Sequence, residues 1–136
     1  MQGLPKPLTL REVASRSDDG EGKDGGNMVT VNQVYEAMQQ AAPLELAEQW
    51  DNPGLLVDCG GPVHRVLVAL DITPEVVAEA AEKHCEVLVS HHPVIFDPLK
   101  KLCPADVPYQ LVRAGISAVC MHTNLDAAEG GVNDVL

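Results

Sequence analysis

Three short aliphatic runs, Val66–Leu70, Glu86–Ser90 and Ile116–Met121, are separated by two segments with helix-start chemistry. In the first segment Thr73-Pro74-Glu75 supplies an N-cap hydroxyl, a proline at the first helical position and an acid in the first turn. It predicts a helix running to about Lys83. The second predicts a helix over Asp106–Ala114, stopped by Gly115. A β-α-β-α-β order pairs its strands in parallel through right-handed crossovers. The expected fold class is therefore α/β, with a parallel-strand core and flanking helices. Composition agrees. Hydrophobic residues make up 46% of the chain but aromatics only 3%, so the core must be aliphatic. Such cores suit parallel strands covered on both faces, and Val66–Leu70 reads as a buried strand of this kind.

Before this core, Thr30 caps a predicted helix over Val31–Ala41, with Val31, Val34, Tyr35 and Met38 on one face. Pro43 stops it. A short helix over Leu44–Glu48 follows, then a turn at Trp50-Asp51-Asn52-Pro53-Gly54, a short strand at Leu55–Val57, and a turn at Cys59-Gly60-Gly61-Pro62. Residues 1–27 read differently. Ser15–Asn27 offers almost nothing to bury, so residues 1–27 are expected to be a disordered N-terminal extension and the domain to begin at Met28.

The formal charge is −11, and residues 28–136 hold 15 acids against 5 Lys and Arg. That surface repels phosphate backbones and anionic lipid, so no nucleic-acid patch is expected. No continuous apolar stretch resembles a secretory signal or a bilayer span. The four cysteines (Cys59, Cys85, Cys103 and Cys120) form no C-x-x-C pair. Cys85 and Cys120 read as small buried hydrophobes. A reducing cytoplasm is the expected location.

The polar residues fall at matching places. Asp71 follows the first strand, His91 and His92 the second, and His122 the third, with Asn124 and Asp126 behind it. Parallel strands deliver these loops to one edge, the carboxyl end, where α/β proteins place ligands. Imidazole and carboxylate together suit Zn, Fe, Mn or Ni. His91 and His92 project differently from an extended loop, so each can serve one of two ions, with Asp126 as a further ligand. His122 is then a candidate for orienting a ligand or water from behind. Two such ions would activate a water at neutral pH.

Plainer readings compete. A lone His-His pair is a weak sign by itself. Asp126 could instead cap a helix over Ala127-Ala128-Glu129. Asp71 is read as support for the Thr73-Pro74 turn, Trp50 as core rather than a substrate platform, and His64 and His84 as surface residues.

Four motifs in order resemble the Nif-three-like proteins, also called GTP cyclohydrolase type-two homologues and including the bacterial YbgI-type proteins. They are Trp50-Asp51-Asn52-Pro53-Gly54-Leu55, Leu70-Asp71-Ile72-Thr73, Ser90-His91-His92-Pro93 with Ile95-Phe96, and His122-Thr123-Asn124-Leu125-Asp126-Ala127-Ala128 before Gly130-Gly131-Val132-Asn133. The resemblance covers residues 28–136. It implies a dinuclear metal centre with His91, His92 and Asp126 among its ligands, a ring-shaped homo-oligomer, and metal-dependent hydrolysis of a small-molecule substrate. The family's further ligands, in an H-x-x-x-E stretch, lie in a second half. The sequence ends at Leu136 before any such stretch, so this chain is expected to be the N-terminal part with the C-terminal half missing. Three functions follow from this: a metal-dependent hydrolase, a non-enzymatic metal-binding or metallochaperone-like protein, or an inactive fragment.

Overall fold

The computed structural model describes residues 28–135. The expected N-terminal extension lies outside the described residues. Among them, β1 (Val29–Thr30) leads directly into α1 (Val31–Ala41) and pairs antiparallel with β3 (Pro62–Val63). A 3-10 turn at Leu44–Leu46 stands where a short helix over Leu44–Glu48 was expected. Pro43 and the Ala47 amide, which bonds back to Leu44, limit it to one turn.

The main sheet contains β2 (Gly54–Val57), β4 (Val66–Ala69), β5 (Val87–Ser90) and β6 (Ser117–Cys120), in the order β2-β6-β5-β4. β4, β5 and β6 are parallel, as the β-α-β-α-β order requires. Their crossovers are α2 (Pro74–Glu82) and α3 (Val107–Ala114). β2 pairs antiparallel with β6, giving the parallel core one antiparallel edge.

Alternation along the central strands divides the core in two. Val87, Val89 and Val119 pack with Val31 and Val34 of α1 on one face. Leu88 and Ala118 pack with Val77, Ala80 and Leu111 of α2 and α3 on the other. Leu88 is fully buried, which contributes roughly 1.5–3 kcal/mol. The helices are ended locally. Thr30 and Gln33 form a reciprocal capping box on α1. The Thr73 hydroxyl accepts from the Val76 amide at 3.2 Å on α2. Gly115 closes α3 with φ +71°, a left-handed conformation suited to glycine.

Two sequence expectations are corrected here. Val66–Leu70 is not a buried strand: β4 lies at the sheet edge, and Val68 is 74% exposed. A β-branched run specifies a strand but not how many neighbours cover it. Asp126 does not cap a following helix. It lies inside α4 (Thr123–Ala127), because the chain turns helical immediately after His122.

The sheet hydrogen bonding runs past the strands into the loops. His92 N–H donates to Leu70 O at 3.1 Å, and Met121 N–H donates to Ser90 O at 3.0 Å. The loops after β4, β5 and β6 are thereby held side by side. Behind α4 the chain turns at Gly131 into α5 (Val132–Val135). A Cβ at Gly131 would stand 1.9 Å from the Leu125 carbonyl oxygen, so only glycine fits this approach.

Candidate metal centre

His91, His92 and His122 meet at the carboxyl edge of the parallel strands. One ring nitrogen of each lies within 4.8 Å of the others. Their ring centroids are 5.0–5.5 Å apart. Asp126 Oδ1 stands 3.3 Å from His91 Nε2, reaching the cluster from the first turn of α4.

Each imidazole is anchored through Nδ1. His91 Nδ1 is 3.0 Å from Met121 O, His92 Nδ1 is 2.6 Å from Asp71 Oδ1, and His122 Nδ1 is 2.8 Å from Asp51 Oδ1. A backbone carbonyl and an ionised carboxylate can only accept, so in the neutral His92 and His122 rings Nδ1 carries the hydrogen and Nε2 the lone pair. His91 has an acceptor at each nitrogen, Met121 O at Nδ1 and Asp126 Oδ1 at Nε2. A ring oriented by an oxygen acceptor behind it is the usual arrangement of a metal-ligating histidine.

The backbone around the cluster is also fixed. Ser90 Oγ donates to His92 O at 2.8 Å, and Cys120 Sγ donates to His91 O at 3.2 Å. Asn124 is fully buried; its Oδ1 accepts from His122 N–H at 2.8 Å while Nδ2 donates to Ala42 O at 2.8 Å. Burial pushes the Cys120 thiol up, the Asp51 charge adds to this, and its pKa reaches about 12. Cys120 is thus held as a neutral thiol that donates to the His91 carbonyl.

Asp51 is the most heavily engaged carboxylate near the cluster. Its side chain is 0% exposed. It accepts from His122 Nδ1, the Thr123 hydroxyl and amide, and the Asn52 amide. Burial alone would raise its pKa, but these hydrogen bonds outweigh it and bring it to about 2. Asp51 is thus a buried anion that orients His122.

Three imidazoles and one carboxylate form a donor set suited to zinc, iron, manganese or nickel. Two nitrogens on one zinc ion at about 2.0–2.1 Å cannot be more than about 4.2 Å apart. The envelope of the three rings is close to that span. The residues present therefore fit a divalent ion.

The structure brings together His91, His92 and Asp126 as the sequence placed them, and sets His122 beside them with its own Nε2 free. Two sequence readings are corrected. Asp71 does not brace the Thr73-Pro74 turn with its carboxylate; that carboxylate holds His92. Trp50 is not core: it is 60% exposed. Its ring lies 6.3 Å from that of His122 and 6.1 Å from that of Phe96. His64 and His84 are surface residues, as expected. Asp51 was missed because its motif reads as a turn. The available signal was a carboxylate in a loop with no helix start to cap.

Residues 29–136 match the family described as Duf34/NIF3 (NGG1p interacting factor 3). The chain is 36% identical over 121 residues to NGG1-interacting factor 3 of Saccharomyces cerevisiae, covering 78% of this chain and 42% of that protein. It is 37% identical over 116 residues to a GTP cyclohydrolase 1 type 2 homolog of Halalkalibacterium halodurans, covering 81% of this chain and 30% of that one. The crystal structure of a Staphylococcus aureus hypothetical protein matches with a TM-score of 0.71 at 39% identity, over 76% of this chain and 36% of that chain. This chain spans less than half the length of these relatives.

Proposed function

The chain belongs to the Duf34/NIF3 family, and on that premise we propose that it supplies one wall of a divalent-metal centre used for hydrolysis of a small molecule. The observation that carries this is the shared anchoring of the three histidines, with each Nδ1 on an oxygen acceptor and one ring nitrogen of each within 4.8 Å of the others. A bound divalent ion would supply Lewis-acid polarisation and a water acidic enough to act at neutral pH.

The protein's own residues prepare the site. Asp51 and Asp71 hold the His122 and His92 rings in fixed orientations through Nδ1. Asp126 offers a carboxylate to offset cationic charge. We read the centre as dinuclear, with His91 and His92 serving different ions. That reading is supported by two adjacent imidazoles that have separate anchors. The relatives named GTP cyclohydrolase 1 type 2 homolog suggest a hydrolytic reaction but do not define the substrate. We further place the protein in a homo-oligomer, ring-shaped as the family resemblance implies. The uncovered Val68 of β4 offers apolar area for such a contact. No helix among the described residues is long and apolar enough to cross a membrane. With four unpaired cysteines among the described residues, we place the protein in a reducing cytoplasm.

A second reading is a metal carrier without turnover. It is favoured by the exposure of the His92–Asp71 pair, which leaves an ion open to exchange. Elemental analysis and a hydrolase screen on the purified chain separate the readings. Bound metal with turnover lost in His91→Ala supports the hydrolase. Bound metal without turnover, with transfer to a chelator-like acceptor, supports the carrier. No stoichiometric metal in excess zinc or iron leaves an inactive fragment.

A further inference from the structure

Thr123 is the first residue of α4, yet its hydroxyl is not spent on capping that helix. It reaches residues 75 and 72 positions away. Glu48 N–H donates to Oγ1 at 2.9 Å, and Oγ1 donates to Asp51 Oδ2 at 2.5 Å. A hydroxyl that only tied α4 to the segment after the 3-10 turn would need the Glu48 bond alone.

The direction of the chain of bonds is forced. A backbone amide can only donate, so Oγ1 accepts from Glu48 and its single hydrogen is left for Asp51. Asp51 then has two donors on each oxygen. Oδ1 takes the Asn52 amide and His122 Nδ1, both at 2.8 Å. Oδ2 takes the Thr123 amide at 3.0 Å and the Thr123 hydroxyl. A carboxylate offers about four lone-pair sites, so this one is full. Its side chain is 0% exposed, so water does not compete for them. Turning the carboxylate away from His122 would break bonds on both oxygens. Of the four donors, the hydroxyl is the one that a side-chain substitution removes while leaving the His122 ring in place.

We infer that Thr123 is a positioning residue for the cluster. Its hydroxyl passes the fixed direction of the Glu48 amide through Asp51 to the His122 ring, and so holds hydrogen on Nδ1 and leaves Nε2 for the cluster. This deepens the proposed metal-dependent function and rests on it only for what Nε2 meets.

The test compares Thr123→Val, which keeps the shape and loses the hydroxyl, with Thr123→Ser, which keeps the hydroxyl. Glu48 is exposed, so water can take up its amide in the valine variant. Ring-nitrogen spectra of the full, metal-free chain read the His122 tautomer, and competition with a chelator dye reads zinc affinity. In Thr123→Val the His122 ring should lose its single Nδ1–H pattern and become a mixture of tautomers, while His92 keeps its own. Zinc affinity should fall about tenfold or more, as for other groups that orient a ligand from behind. Thr123→Ser should retain the wild-type signal and affinity. A wild-type His122 signal in Thr123→Val overturns the inference, whatever its zinc affinity. So does a serine variant that loses as much as the valine one, which would assign the effect to the methyl group. A changed His122 signal with unchanged zinc affinity upholds the positioning role and takes His122 out of the metal centre. If the wild type binds no zinc, the metal reading falls and the metal-free His122 signal alone decides the role of Thr123. Should Thr123→Val not fold, the wild type decides: its Thr123 hydroxyl proton should exchange slowly with water, and fast exchange overturns the inference.

Discussion

The cluster is flanked by two imidazole–carboxylate pairs of the same chemistry in different settings. His122–Asp51 is buried at 2.8 Å, with the carboxylate wholly enclosed and further held by Thr123 and Asn52. His92–Asp71 is shorter, at 2.6 Å, yet both partners lie about half in solvent. Distance alone would rank the second pair as stronger. Environment reverses that ranking: an exposed pair is screened and costs side-chain entropy, whereas a buried hydrogen-bonded charge is worth its whole network. One side of the site is thus part of the fold, and the other is set by a local contact.

The largest effect should come from Asp51→Ala. It removes every partner the carboxylate serves and leaves Thr123 and His122 donors unmatched. A loss of roughly 3–5 kcal/mol is expected by urea unfolding, together with loss of zinc binding. A change below about 1 kcal/mol would mean that the buried pair behaves like the exposed one.

Asp71→Ala should separate stability from binding. Stability should shift by less than about 1 kcal/mol. Zinc affinity should fall about 10–100-fold, because His92 loses its orienting acceptor. If affinity is unchanged in a chelator competition, His92 does not need the anchor.

Glu86 gives the smallest effect and a third setting, at the opposite edge of the sheet. Its Oε1 accepts from the His64 and Arg65 amides at 2.7 and 3.0 Å, and His64 Nδ1 lies 3.5 Å from Oε2. Partial burial works against ionisation, but the Arg65 and His64 hydrogen bonds prevail and hold its pKa below the usual 4.5. The depressed folded value means its contribution is present above about 4.5 and is lost as pH falls through that lower value. Glu86→Gln should therefore flatten the acid limb of a stability–pH curve slightly and leave zinc binding untouched. An unchanged limb would assign acid sensitivity elsewhere.

Much of this was legible in the sequence. Val87–Ser90 and Ser117–Cys120 read as strands from their short aliphatic runs, and Thr73-Pro74 and Gly115 mark helix ends by backbone chemistry. Topology then gathers His91, His92, His122 and Asp126 without further information. What was not legible depends on neighbours distant in sequence. Burial of Asp51 requires Thr123, 72 positions away. The role of Asp71 requires His92, 21 positions away. The antiparallel direction of β2 and the edge position of β4 depend on which strands lie alongside, and a strand's own residues do not encode that. Trp50 looked like core because large aromatics usually bury; its place beside His122 arises from the Asp51 anchor, itself a long-range contact.

The central claim is that the three imidazoles are anchored through Nδ1 and offer Nε2 to a cation. Two-bond proton–nitrogen correlation spectra of the nitrogen-labelled chain test it directly, at about pH 8. His92 and His122 should show the Nδ1–H tautomer, and added zinc should shift the Nε2 resonances of His91, His92 and His122 while those of His64 and His84 stay in place. An Nε2–H tautomer at His92 or His122, or zinc that leaves the three Nε2 resonances unmoved, would contradict the account.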